Sequence, residues 1–366
     1  MKYSSLLLLC AVPVATLLLA ACSGPEGTAD VAATHDMLPT SPVSIMTFNV
    51  QNLFDVTDDA GKDDKAYLPI EAKQSEAHIA ECGEIKVASW RAECLNLDWD
   101  EEALQLKMSV LAEAILQIGD GRGADIIAFQ EVENVAILDR LRREFLADAG
   151  YGPAILIDGD DRRGIDVAFL TRLPLAAPTK LRRRAFDDFP ERAGDTRGVL
   201  EATFQLPDGS LLTGFAVHFP APFHPTEMRV EAYRHLTELR NALPDDHYVF
   251  AAGDFNTTSD EDKLQGMLER FVRPFWTAAH EMCLDCQGSY YYASDDSWSF
   301  LDMILFSPAR GEKTTWQIRA DSVQIANRTA AQVTVAGKPA RFRLPQGSGV
   351  SDHWPLVLSI ELTKKQ

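Results

Sequence analysis

Two kinds of apolar pattern take turns along this chain: short apolar runs and longer stretches with helical spacing. The run 43–50 reads as a strand with a buried face, closing at Asn49 and Asn52. Residues 101–118 place Leu104, Met108, Leu111, Ile115 and Ile118 at three- and four-residue intervals, which predicts an amphipathic helix stopped by Gly119. Residues 125–131 return as a buried strand, 135–149 as a helix, and 154–157 and 165–171 as strands. Residues 200–206 and 211–219 flank Pro207-Asp208-Gly209-Ser210, the signal of a hairpin. A helix over 226–243, strands over 247–253 and 298–306, and a last strand over 354–362 complete the series. Strands and helices mixed with hairpins predict two sheets packed face to face with helices outside, rather than a simple parallel sheet. Residues 55–98 are acidic, show little periodicity and read as an insertion.

The N-terminus follows another rule. Lys2 precedes an apolar run over 6–21 that Pro13 interrupts, and Cys22 comes next. A spanning helix needs about 20 apolar residues, so the run reads as an export signal rather than as part of the fold. Leu19-Ala20-Ala21-Cys22 resembles a bacterial lipobox, in which the signal 1–21 is removed and Cys22 carries lipid; an ordinary secretory signal or an anchor helix are the other readings. Acyl chains contribute about 0.8 kcal/mol per buried methylene, enough for several on one cysteine to hold a protein to a membrane. Residues 22–42 then form the anchor and a Gly-, Pro- and Ala-rich tether, and the folded domain spans 43–366, with no internal repeat of fixed period. The expectation is an exported lipoprotein facing the periplasm or cell surface, touching the membrane through its lipid alone.

Charge and cysteines narrow the chemistry. The formal charge is −19, and loss of Lys2 with the signal makes it −20. Such a surface repels polyanions at long range, which argues against high-affinity DNA binding but not against hydrolysis of a transiently bound or small phosphate substrate. Arg182-Arg183-Arg184, with Arg192 and Arg197, is the one dense basic stretch, either a phosphate-facing strip or a solvated segment balanced by Asp187, Asp188 and Glu191. Outside the signal and Cys22 four cysteines remain, and closeness in sequence favours Cys82 with Cys94 and Cys283 with Cys286. The Cys-x-x-Cys pair also suits half of a zinc site or a redox motif, but no second such pair accompanies it; in an oxidising compartment two disulfides are the simpler account.

Apolar strands in this sequence repeatedly finish in a carboxylate, amide or imidazole: Asn49, Glu131, His218, Asp254 with Asn256, and Asp352 with His353. An Asp or Asn after a strand is more often a turn former or helix cap, the reading kept for Asn52 and Asn134. Five together are harder to dismiss. Thr47 to Asn52 (Thr-Phe-Asn-Val-Gln-Asn), Gln130 to Glu133 (Gln-Glu-Val-Glu), Val217 to Phe219 (Val-His-Phe), Gly253 to Asn256 (Gly-Asp-Phe-Asn) and Ser351 to Pro355 (Ser-Asp-His-Trp-Pro) resemble the endonuclease/exonuclease/phosphatase superfamily, in its order and across nearly the whole domain. The resemblance implies a deoxyribonuclease I-like four-layer α/β/β/α sandwich: two mixed β-sheets face to face, helices outside.

It also implies roles. Attack on a phosphate ester gathers negative charge, which a hard cation and fixed donors stabilise. Asn49 and Glu131, with Asp352 close by, match the ligands of the principal metal; oxygen ligands suit Mg²⁺ or Mn²⁺, with Ca²⁺ admissible. His353 would face the scissile phosphate, oriented by Asp302. Asp254 would align or deprotonate water, and Asn256 would donate to a phosphate oxygen. His218 matches the second histidine of the deoxyribonuclease and sphingomyelinase branches, which disfavours an abasic-site repair enzyme. Arg163 is placed to bind phosphate bidentately or to lie on the surface. Gln51 stands where some repair nucleases have an acid, so one firmly held metal is expected.

The function expected is phosphodiester hydrolysis on nucleic acid outside the cytoplasm. The alternatives are a phosphatase or sphingomyelinase-like activity on nucleotides or lipid head groups, and a non-catalytic surface protein; no protein partner is inferable. A glycosidase would use paired carboxylates but would not call for two amides and two histidines.

Overall fold

The computed structural model describes residues 41–309 and 314–364. The lipobox, Cys22 and nearly all of the tether lie outside the described residues. No helix among those described is long and apolar enough to cross a membrane.

The strands in chain order are β1 (Val43–Leu53), β2 (Ile126–Val132), β3 (Ile155–Leu156), β4 (Asp166–Thr171), β5 (Lys180–Arg182), β6 (Val199–Gln205), β7 (Leu211–His218) and β8 (Tyr248–Asp254). They continue as β9 (Thr277–Ala278), β10 (Tyr290–Tyr292), β11 (Ser297–Ser299), β12 (Asp302–Ser307), β13 (Thr314–Ile318), β14 (Gln324–Ile325) and β15 (Leu356–Lys364). The helices are α1 (Glu76–Gly83), α2 (Ala88–Asn96), α3 (Glu101–Leu116), α4 (Val135–Phe145), α5 (Thr226–Asn241), α6 (Ser259–Gln265) and α7 (Met267–Phe271). One sheet runs β13-β15-β1-β2-β4-β3 with β14 beside β15, and the other β5-β6-β7-β8-β12-β9; each mixes parallel and antiparallel pairs.

Three apolar cores separate four layers. Met46, Phe48, Ile127 and Phe129 pack outward against Leu104, Met108 and Leu111 of α3 and Leu138 and Leu141 of α4. Ile45, Ala128, Phe169 and Leu358 face Phe204, Ala216, Phe250 and Ile304 across the gap between the sheets. Val217, Ala251 and Leu305 pack outward against Tyr233 and Leu236 of α5. The strands thus follow the period-two alternation of a sheet covered on both faces, and the architecture is the expected α/β/β/α sandwich.

Local chemistry sets the ends. Asp100 caps α3 by accepting from Ala103 N, and Asn134 caps α4 by accepting from Ile137 N, as its cap reading expects. The helix expected over 135–149 stops at Phe145; Leu146 leaves helical geometry, and a 3₁₀ turn over Ala147–Ala149 runs into Gly150 at φ 79°. The strand expected over 298–306 is two: the chain breaks between β11 and β12, where Phe255 N donates to Leu301 O, so Asp302 opens a strand instead of lying within one.

The insertion is ordered rather than irregular. It holds α1 and α2, joined by the Cys82–Cys94 disulfide, and Cys283–Cys286 is bridged as well. Lys73, almost fully buried, donates from Nζ to Ala66 O at 2.7 Å and Leu97 O at 2.6 Å, closing the insertion on itself. The arginine strip is neutralised, Arg182 to Arg184 by acids distant in sequence and Arg192 by its neighbours: Arg182 pairs with Glu201, Arg183 with Asp160, Arg184 with Glu231 and Glu238, and Arg192 with Glu191 and Asp195.

Candidate active site

The site grows out of the core by continuing its alternation. On β8, Tyr248, Phe250 and Ala252 face the other sheet, so the next inward position is Asp254. On β7, Leu212 and Ala216 face inward and His218 follows; on β12, Phe306 and Ile304 lead back to Asp302. Register aligns the three, with His218 opposite Asp254 and Asp254 opposite Asp302. In the facing sheet Ile45 and Thr47 lead by the same rule to Asn49. An apolar interior therefore ends in a polar rim.

Glu131 arrives there by breaking the rule. Ile127 and Phe129 point toward the outer helices, and strict alternation would send Glu131 with them, into α3 and α4. A register shift between Gln130 and Val132 and a φ of 66° at Glu131 turn the strand, so that Val132 takes the outward position. The carboxylate then accepts from Asn52 N at 3.1 Å. Gln51 at φ 53°, Asn52 at 61° and Asn256 at 49° also adopt left-handed backbone, each costing on the order of 1 kcal/mol. Four of the six non-glycine residues with positive φ among those described thus cluster at this rim.

Asp254 is the hub. Its Oδ2 accepts from Asn49 Nδ2 at 3.1 Å, with His218 Nε2 at 3.6 Å and His353 Nε2 at 3.9 Å. Its Oδ1 accepts from Asn256 N at 2.8 Å, while Asn256 Nδ2 donates to Phe219 O. His353 Nδ1 lies 2.7 Å from Asp302 Oδ2, and the Tyr290 ring packs on the imidazole at 4.8 Å. Ser351 fixes the loop that carries His353, donating from Oγ to Asn49 O and accepting from His353 N. All of these groups except the half-buried Tyr290 are buried.

Burial opposes charge on His353, but the carboxylates of Asp302, Asp254 and Asp352 overcome it and push the imidazolium up to about 10. Burial likewise pushes the Asp254 carboxyl up to about 8, against the pull of His353. His218, buried beside the Arg163 and His353 cations, is driven well below the ordinary histidine value. One imidazole is therefore a cation and the other neutral, on two sides of one acid.

Asp352 sits at the mouth, a quarter exposed, with Arg341 Nε 3.8 Å away. Arg163 is half exposed; its charge reaches both Glu131 and His218, and its Nε lies 3.6 Å from Asp161. Gln51, in place of an acid, hydrogen-bonds both ways with the Phe342 backbone, a structural role. Sequence reasoning passed over Lys107, fully buried on α3, which donates to Val350 O at 2.7 Å; burial lowers it to about 7 although Asp352 and Glu131 favour its charge. It also missed Tyr290, which no strand-end pattern marks, and gave Ser351 no role although its motif includes it.

The donor set fits a hard divalent cation. Asn49, Glu131 and Asp352 offer oxygen alone, and burial first, then the Asp352 charge, raise the Glu131 carboxyl, a pairing that a cation would relieve. Asp254, Asp302 and His353 also cluster tightly, but the 2.7 Å contact of His353 with Asp302 is a hydrogen bond that occupies the ring nitrogen.

Residues 93–362 match the model of the endonuclease/exonuclease/phosphatase family. No curated protein matches the sequence. Among solved structures, a D. rerio TDP2 humanized by 14 mutations superposes with TM-score 0.54 at 14% identity, covering 87% of this chain and 98% of its own. An endonuclease/exonuclease/phosphatase from Bacteroides vulgatus gives TM-score 0.51 at 17% identity over 88% of this chain and 100% of its own. The mannosyl-6-phosphatase of Bacteroides thetaiotaomicron VPI-5482 gives 0.50 at 16% over 88% and 99%. These likenesses establish the shared fold, and the match over 93–362 establishes the kinship: the chain belongs to the endonuclease/exonuclease/phosphatase family and is a metal-dependent phosphoesterase.

Proposed function

We propose that this phosphoesterase hydrolyses phosphodiesters of nucleic acid in short or single-stranded form, as an exported enzyme tethered through lipid on Cys22. The observation that carries the diester reading is the second imidazole. His218 approaches the same Asp254 oxygen as His353, 3.6 and 3.9 Å away, and its motif resembles that of the deoxyribonuclease and sphingomyelinase branches.

A nucleic-acid strand is favoured over a lipid by Phe223, on the loop that follows His218. Its ring is 76% exposed and lies 4.3 Å from that of His224, an aromatic face on which a base stacks. A paired arginine strip and a charge of −19 disfavour long duplexes.

Asn49 and Glu131, with Asp352 beside them, would hold Mg²⁺ or Mn²⁺, which supplies positive charge to the phosphate oxygens. Asp254, held by Asn49 and by Asn256 N, orients the attacking water and takes its proton. His353 keeps Nδ1 on Asp302 and presents Nε2–H to the charge that develops on phosphorus or the leaving oxygen. His218 is neutral, and its ring accepts or donates one hydrogen bond at the substrate without adding charge. Arg163 extends cationic reach from the rim.

Purified protein with Mg²⁺ should hydrolyse bis-p-nitrophenyl phosphate and single-stranded oligonucleotides faster than p-nitrophenyl phosphate, mannose 6-phosphate or sphingomyelin. EDTA should abolish the activity, and His353→Ala should lower kcat by roughly 10²–10³. Phe223→Ala should raise KM for oligonucleotides about 5- to 100-fold but leave bis-p-nitrophenyl phosphate unaffected. Turnover confined to the monoesters or to sphingomyelin would overturn the nuclease reading.

A further inference from the structure

The insertion carries a second acidic cluster that the reaction does not use. Carboxylate oxygens of Asp59, Asp64 and Glu133 lie within 4.8 Å of one another where the loop after β1 meets the exit of β2. Glu133 is 4% exposed and Asp64 2%. One oxygen of each is satisfied: Glu133 Oε2 accepts from Asp55 N at 2.6 Å and from Asn134 Nδ2, and Asp64 Oδ2 accepts from Asp59 N at 2.8 Å. The other oxygens, Glu133 Oε1 and Asp64 Oδ1, are buried with no partner. Orphaned acceptors of this kind are costly and rare.

The surroundings make matters worse for them. The Asp58 carboxylate adds negative potential at Asp64, and Asp55 does so at Glu133. Among the described residues no lysine, arginine or histidine pairs with Asp55, Asp58, Asp59, Asp64 or Glu133. Lys62, the ammonium within the loop, is turned away and donates to Asp161 O at 2.9 Å. Five carboxylates without a basic partner, two of them with a buried free oxygen, lack only a cation.

We propose that this cluster is a Ca²⁺ site, distinct from the catalytic centre and held by Asp59, Asp64 and Glu133. Oxygen-only donors disfavour zinc and suit hard cations. Ca²⁺ accepts six to eight oxygens in irregular geometry, which the free oxygens of Glu133 and Asp64, the Asp59 carboxylate and water can supply; Mg²⁺ demands a near-ideal octahedron.

The site would clasp the loop to β2, and the loop in turn braces the turn that carries Arg163. Asp63 N donates to Arg162 O at 2.7 Å, and Gly164 packs on the Lys62 stem. Calcium thereby stiffens one wall of the catalytic mouth without touching substrate.

Equilibrium dialysis of the full chain against Ca²⁺ alone, with wild type, Asp59→Asn and Asp64→Asn in parallel, tests this. Both variants should bind one equivalent less than wild type. Ca²⁺ at a hundredfold its dissociation constant should raise the wild-type Tm by on the order of 5 °C and the variants' far less. Asp59 is exposed, so its substitution reports on binding even if Asp64→Asn fails to fold. Equal stoichiometry in wild type and Asp59→Asn, or a Tm rise undiminished by that substitution, would overturn the proposal.

Discussion

At His353 two opposing effects act on one imidazole. Burial removes the hydration that a cation needs, yet Asp302 at 2.7 Å and Asp254 at 3.9 Å make the protonated ring the favoured form. The mechanism requires His353 charged and Asp254 ionised, so activity should rise with pH through about 8 and fall through about 10. Asp302→Asn removes the carboxylate that holds the proton, so the falling limb should move toward neutral pH as kcat drops. A pH–rate profile of that variant with its alkaline limb unmoved would show that Asp302 does not set the charge. Asp254 was legible in the sequence because it closes an apolar strand; Asp302 opens one and His353 precedes one, and both were marked by the motifs around them. Lys107 was not: a lysine on an amphipathic helix reads as solvated, and its acceptor, Val350 O, lies 243 residues away.

Among the elements, β7 and β8 must approach closely to bring His218 level with Asp254. Gly253 permits it: a Cβ there would lie 1.9 Å from Val217 O. Gly253→Ala should therefore cost roughly 2–4 kcal/mol of stability and misalign His218 with Asp254, lowering kcat. Urea denaturation and steady-state rates check both, and a variant as stable and active as wild type would contradict the close approach. The main strands and helices were readable because each repeats an apolar period over a layer that packs on both faces. The insertion was not, because α1 buries only His78 and Cys82 and α2 only Cys94, too few positions to leave a periodic trace. The break between β11 and β12 escaped too, since the apolar run through Phe300 and Leu301 continues across it. The turn of Glu131 onto the rim depends on a bulge, which period-two reading cannot foresee.

For the whole molecule, the central claim is convergence. Residues from Asn49 on the first strand to His353 before the last one meet at a single rim between two sheets, and the oxygen donors among them face the imidazolium. The sequence carried this because its motifs, from Thr47 to Pro355, resemble those of the family in order, and residues 93–362 match the family model. It carried less about substrate, which depends on loops whose partners are distant: Arg182, Arg183 and Arg184 are neutralised by Glu201, Asp160 and Glu231, not by their neighbours. The most direct measurement is anomalous diffraction from crystals soaked with Mn²⁺ and a non-hydrolysable phosphodiester. The account predicts one Mn²⁺ about 2.1 Å from Glu131 and Asn49 oxygens, with the phosphorus between it and His353. A manganese peak remote from Glu131, or a phosphate bound away from Asp254 and His353, would contradict it.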